Sequence, residues 1–197
     1  MAVSRLQGAS IERCVAWIEA LAAAGVGALQ IREKECSDRE IYELALLARS
    51  HFPSPGLLLI NGRPDIALAA GADGVHLPAR GLPVAAVLRS FGAELLIGRS
   101  THTLSEVEAA RREGADWVLF GPVWPTPGKK PAGCEPLREA ASLGVPVYAV
   151  GGVTHERLRE AAKCGAVGAA AVRLFQEPEA AAGAALEAAR HFERPTR

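Results

Sequence analysis

Two adjacent glycines, Gly151-Gly152, close a short apolar run and are followed by Val153, Thr154 and a segment of helical period. Glycine lets the backbone come close to a ligand, and the first amides of a helix point outward from its start. A strand, two glycines and a helix in that order therefore suit a phosphate. The next apolar run ends in the small residues Ala171 and Val172 before Arg173, and a phosphate held between two such exits is a recurrent barrel arrangement. Arg32 and Lys34 stand two apart at another strand end, where they share one side and can converge on a single anion. Their neighbour Glu33 faces away or pairs with a loop. His76 and His102 lie at two further exits, where an imidazole can move a proton near neutral pH, and Ser100 can orient a substrate proton or carboxylate. Taken singly, these are also a tight turn, a solvated charged exit and two structural histidines. Their common position at strand ends argues for one site that grips a phosphate, pairs an anion and transfers a proton.

The elements that would carry these residues are legible from periodicity. Short apolar runs alternate with segments rich in Ala, Leu, Arg and Glu, at a spacing of about 20–30 residues, as βαβ architecture requires. Strands are expected at 1–4, 27–31, 57–60, 74–77, 95–98, 117–121, 145–150 and 168–172. Helices are expected at 11–24, 37–50, 64–70, 83–90, 105–113, 135–143, 155–164 and 178–191. Ser10 is an N-cap, Ser37 and Glu40 have capping-box spacing, and Pro64 and Pro83 sit where a first helical turn tolerates proline. A chain of 197 residues without a composition shift reads as one domain over 1–197. Eight strand–helix units favour a closed (β/α)8 barrel over an open doubly wound sheet, in trimmed form with a short first strand. In such a barrel every strand exit falls on one face. The long Pro/Gly connection 122–133 has the length of an active-site lid.

Composition removes other classes. Lysine plus arginine and aspartate plus glutamate both number 22, so the formal charge is zero, which excludes a nucleic-acid backbone as the main partner. The four cysteines Cys14, Cys36, Cys134 and Cys164 form no C-x-x-C pair and read as free thiols of a reducing compartment. No cleavable leader and no apolar run of membrane length is present, so the cytoplasm is the expected location and no membrane partner is expected. A monomer and a homo-oligomer would share these Ala-rich helices.

In order along the chain, Gln30-Ile31-Arg32-Glu33-Lys34, Ile60-Asn61, Asp73-Gly74-Val75-His76-Leu77, Ile97–His102, Phe120-Gly121-Pro122-Val123-Trp124-Pro125-Thr126 with Lys129-Lys130, and Gly151-Gly152 resemble the thiamine-phosphate synthase family, which includes the thiazole tautomerases (TenI-type proteins). The resemblance spans about 28–172 and implies the same barrel. It implies substrate and phosphate contacts from Arg32, Lys34, Asn61, Thr126, Lys129, Gly151, Gly152, Ala171 and Val172. It also implies that the synthase branch carries a magnesium aspartate directly after Asn61 and another five residues after His76. This chain has Gly62 and Gly81 there. Magnesium with its oxygen ligands offsets the charge of a pyrophosphate leaving group. Without those carboxylates the resemblance points to the tautomerase branch, which needs no metal: a carboxylated dihydrothiazole phosphate becomes the aromatic thiazole. Arg99 looks like that branch too. The expected ligand is then a thiazole phosphate, with no cofactor, and with Mg²⁺ only if the chain is a synthase. Catalysis is expected from His102, His76 and Ser100, because Pro122 occupies the place where tautomerases can carry a histidine. A divergent synthase, suggested by Pro122 and Lys129, and a non-catalytic binder of thiazole or thiamine phosphate remain open. His51, His155 and His191 read as structural.

Overall fold

Short buried runs and amphipathic segments resolve into eight strands that each lead into a helix. The computed structural model describes residues 1–192, so the last five positions of the expected 1–197 span lie outside the described residues. The strands are β1 (Ala2–Val3), β2 (Ala28–Ile31), β3 (Leu57–Asn61), β4 (Gly74–Leu77), β5 (Leu96–Thr101), β6 (Trp117–Phe120), β7 (Val147–Val150) and β8 (Gly168–Ala170). The helices are α1 (Ile11–Ala23), α2 (Asp38–His51), α3 (Pro64–Ala69), α4 (Val84–Phe91), α5 (Leu104–Arg112), α6 (Cys134–Ala141), α7 (His155–Lys163) and α8 (Pro178–His191). Local chemistry starts several of them. Ser10 accepts from the Arg13 amide at the head of α1, and Ser37 and Glu40 form the full reciprocal box at the head of α2. Helix α1 turns Cys14, Trp17, Ile18 and Leu21 inward, the spacing of one helical stripe.

All strand pairs are parallel and in chain order from β1 to β8. β8 returns to β1 through a bridge between Ala2 and Ala171, with the Val3 amide donating to the Ala171 carbonyl at 3.0 Å. The result is a nearly closed parallel barrel. Alternate residues of each strand face the helices or the barrel axis. The inner set includes Val3, Ala28, Leu59, Trp117, Leu119 and Ala170, buried against one another. Gly98 belongs there because a Cβ would sit 2.1 Å from the Trp117 ring. The interior is packed, not a pore.

The structure moves three boundaries that matter. β5 continues to Thr101 where the sequence placed its end at Gly98, because Ser100 and Thr101 pair with Leu119 and Phe120 of β6. Arg99 and Ser100 are thus strand residues and not loop residues. β8 stops at Ala170 and not at Val172, since the chain turns into a 3-10 segment at Arg173–Phe175. β7 begins at Val147, after Pro146, which has no amide to give to a ladder. Among the described residues no helix is long and apolar enough to cross a membrane.

Candidate functional site

The inward-facing residues nearest the strand exits are polar, unlike the layers below them. Asn61 on β3 donates from its side-chain amide to the Gln30 side chain on β2 at 2.9 Å. On β4 and β5, His76 Nε2 lies 2.8 Å from Ser100 Oγ. His76 is 1% exposed, and its ring stacks on Trp117 with centroids 6.4 Å apart. Its Nδ1 has no partner among the described residues. Burial, reinforced by the Arg32 and Arg99 charges, pushes the His76 pKa down to about 3. His76 is therefore neutral throughout the physiological range and serves Ser100 as a hydrogen-bonding neighbour rather than as a strong base. His76 and His102, the two imidazoles expected at the strand exits, thus differ in burial and in partners. His102 lies one residue past β5, exposed to solvent, with its backbone amide given to Glu106.

A neutral buried imidazole has a consequence for stability. The unfolded chain takes up a proton on His76 near the ordinary histidine pKa of about 6.5, whereas the folded chain does so only near 3. Between those values the unfolded state binds more protons, so stability falls as pH falls, by up to about 1.4 kcal/mol per pH unit from this group. Thermal melting of the wild type and His76→Gln between pH 7 and 4 should show a shallower loss in the variant. Parallel curves would contradict the assignment.

Arg32, Lys34 and Asn61 border one cavity of about 220 Å³ at the β2 and β3 exits. Glu33, between the two cations, is turned into the loop after β1, where its carboxylate accepts from the Ser4 hydroxyl and the Leu6 and Gln7 amides. Ser4 in turn accepts from the Arg32 amide at 2.8 Å. These bonds tie the Glu33 carboxylate to that loop, although Glu33 and Asp38 line the same cavity as the two cations. Arg63 also lines this cavity and was not expected from the sequence. It donates to Asp65 and to Asp38, tying the β3 exit to the start of α2. Its only sequence signal is the Arg-x-Asp spacing to Asp65. Arg99, in contrast, is spent on structure, since its guanidinium holds the Ala79 and Leu82 carbonyls after β4.

Across the mouth, Gly151 and Gly152 both have positive φ, +87° and +68°. A Cβ on Gly151 would stand 2.4 Å from Pro122 Cβ, and one on Gly152 would stand 2.7 Å from the Pro125 carbonyl oxygen. The glycines therefore admit the 121–133 connection as well as any ligand. That connection is held as a wall: Val123 and Trp124 amides donate to the Val150 and Gly151 carbonyls, and Ala132 and Gly133 amides donate back to Pro122 and Val123. Thr126 Oγ donates to the Trp124 carbonyl and lies beside Gly151, while Lys129 and Lys130 are exposed at the tip. Among the described residues, no protein acceptor takes the amides of Gly151, Gly152, Val153 or Val172. Thr154, the N-cap of α7, gives its hydroxyl to Glu156 and leaves the first helical amides uncapped. Free amides around a positive-φ turn at a helix start form an anion cradle. Ala171 is buried beside β1, and Val172 packs into the barrel interior.

Magnesium does not fit the residues present. Gly62 has φ +73° with the Pro78 ring 3.6 Å from its Cβ position, and a Cβ on Gly81 would stand 3.0 Å from the Pro78 carbonyl. Asp38 and Asp65 are engaged by Arg63, and Glu33 is engaged by the β1 loop. Among the described residues no group of three or more His, Cys, Asp or Glu is placed to hold a metal ion. A hard cation needs several oxygens gathered around one point, and no such carboxylate cluster is found among the described residues.

Comparison with known proteins places this geometry in context. The family model described as thiamine monophosphate synthase matches residues 3–175. A putative thiamine-phosphate synthase 2 of Aquifex aeolicus is 40% identical over 165 residues, covering 81% of this chain and 88% of the relative. The thiamine-phosphate synthase of Anaeromyxobacter dehalogenans is 39% identical over 187 residues, covering 89% and 84%. The thiamine phosphate pyrophosphorylase of Pyrococcus furiosus superposes with a TM-score of 0.83 at 31% identity, covering 96% of this chain and 92% of that one. These names favour the synthase alternative over the tautomerase.

Proposed function

The chain belongs to the thiamine monophosphate synthase family, and we propose that it is a thiamine-biosynthesis enzyme that moves a proton on a carboxylated dihydrothiazole phosphate without a metal. The observation that carries the finer reading is the pair Gly62 and Gly81, packed on Pro78 where pyrophosphate chemistry would need carboxylates. The phosphate sits in the amides of the Gly151–Gly152 turn and the start of α7. Arg32 and Lys34 hold the ring carboxylate and offset the charge that grows beside it as ring carbon C2 loses its proton. His102 accepts that proton, and a proton is delivered to the exocyclic carbon, so the composition is unchanged and the ring becomes aromatic. Ser100, oriented by the neutral His76, fixes the substrate within the mouth. A small phosphorylated metabolite is the only partner this reading needs.

A second reading, coupling of hydroxymethylpyrimidine pyrophosphate with thiazole phosphate, is favoured by the relatives' names, by Pro122 and by Lys129. Parallel assays separate the two. Conversion of the dihydrothiazole carboxylate phosphate, with no pyrophosphate released from the synthase substrates in Mg²⁺, is the expected result. Pyrophosphate release alone would establish the synthase. Micromolar binding of a thiazole phosphate with neither turnover would leave a non-catalytic binder.

A further inference from the structure

We propose that Arg157 and Trp124 form a brace that aims the Gly151–Gly152 turn at the ligand phosphate, which makes Arg157 a positioning residue for phosphate affinity. The inference rests on the phosphate reading given above. Arg157, in the first turn of α7, donates from Nη1 to the Gly152 carbonyl at 2.5 Å, and its guanidinium carbon lies 5.8 Å from the Trp124 ring centroid. Glu160, one turn further along α7, accepts from the Trp124 indole at 3.0 Å and from the Cys134 thiol at 3.1 Å. Trp124 is thus gripped at its face by one α7 residue and at its edge by another. Its Cβ in turn stands 2.8 Å from the Cβ position of Gly152, so nothing larger than glycine fits between brace and turn.

The physical need for such a brace comes from the glycines. Glycine dihedrals are soft, so the Gly152 carbonyl can rotate toward the mouth, where it would repel an anion. Arg157 holds the Gly152 carbonyl, and in the brace this leaves amide hydrogens, not a carbonyl oxygen, to face the ligand. The contact is charge-assisted and stacked on an aromatic face, which lysine reproduces only in part. The Glu160 end is held at neutral pH as well. Burial, helped by Cys164 and Glu160, pushes the Cys134 thiol up to about 12, so it stays a protonated donor.

Calorimetric titration with thiazole phosphate and with the unphosphorylated thiazole alcohol tests the brace. Arg157→Ala should weaken phosphate-ligand binding about tenfold while the alcohol is bound as before, with Arg157→Lys between the two. Equal affinity of wild type and Arg157→Ala for thiazole phosphate would overturn the proposal. So would equal weakening toward both ligands, which marks a merely structural role. If the alanine variant does not fold, an unchanged preference for the phosphorylated ligand in Arg157→Lys overturns it as well. A wild type that shows no preference for the phosphorylated ligand would instead refute the phosphate reading itself, and the brace with it.

Discussion

Gly152→Val is expected to lower affinity for thiazole phosphate at least 100-fold and to destabilise the fold. The residue has φ +68°, and a Cβ there would meet the Pro125 carbonyl at 2.7 Å and the Trp124 Cβ at 2.8 Å. A β-branched residue in the left-handed region costs about 1–2 kcal/mol, and overpacking adds about 1–3 kcal/mol. Much of that strain can be relieved only by pushing the 121–133 wall away or by flipping the turn. Either movement takes the Gly151, Gly152 and Val153 amides off the anion, so binding falls further than stability. Gly151→Ala is the milder companion: its Cβ would meet Pro122 at 2.4 Å and Thr126 Oγ at 3.2 Å. Titration calorimetry alongside thermal melting separates the two effects. A Gly152→Val protein that binds thiazole phosphate normally would show that the turn is only a packing device.

The second large effect is expected at His102. His76 is held neutral by burial, with a pKa near 3, and one ring nitrogen is committed to Ser100. A base with so low a pKa gains little driving force from a carbon acid at neutral pH. His102 is exposed one residue beyond the strand that carries Ser100. It can pass a proton to solvent, which the buried ring cannot do directly. His102→Gln should reduce kcat by about 100-fold or more, the usual scale of a lost general base. His76→Gln, which keeps a neutral hydrogen-bonding group beside Ser100, should reduce it far less. Steady-state kinetics of both variants decide the matter: full activity in His102→Gln, or the larger loss in His76→Gln, would reverse the assignment.

Periodicity made the barrel readable before any coordinate, because each strand and helix declares itself within about ten residues. The Ser37–Glu40 box is a local signal of the same kind, and it forms as written. What failed was decided across the chain. Arg99-Ser100-Thr101 looked like an exit because it is polar, yet pairing with β6 draws it into β5. Glu33 was legible as turned away, but its Ser4 partner at the end of neighbouring β1 was not. Arg63, Arg157 and Glu160 sit on loops and helix faces where charged residues are ordinary, and only the fold brings them to Asp38, Gly152 and Trp124. The depth of His76 escaped notice for a similar reason. A histidine near a strand end gives no sign that its ring will be buried against a residue as distant in sequence as Trp117.

Proton movement on the thiazole ring is expected to proceed without a metal. Nuclear magnetic resonance of the dihydrothiazole carboxylate phosphate, incubated with the enzyme in D₂O and excess EDTA, tests it most directly. The prediction is an aromatic product that has lost the C2 hydrogen and gained solvent deuterium at the exocyclic carbon, at a rate that added Mg²⁺ does not change. An unaltered substrate in EDTA that turns over only when Mg²⁺ is restored would contradict it.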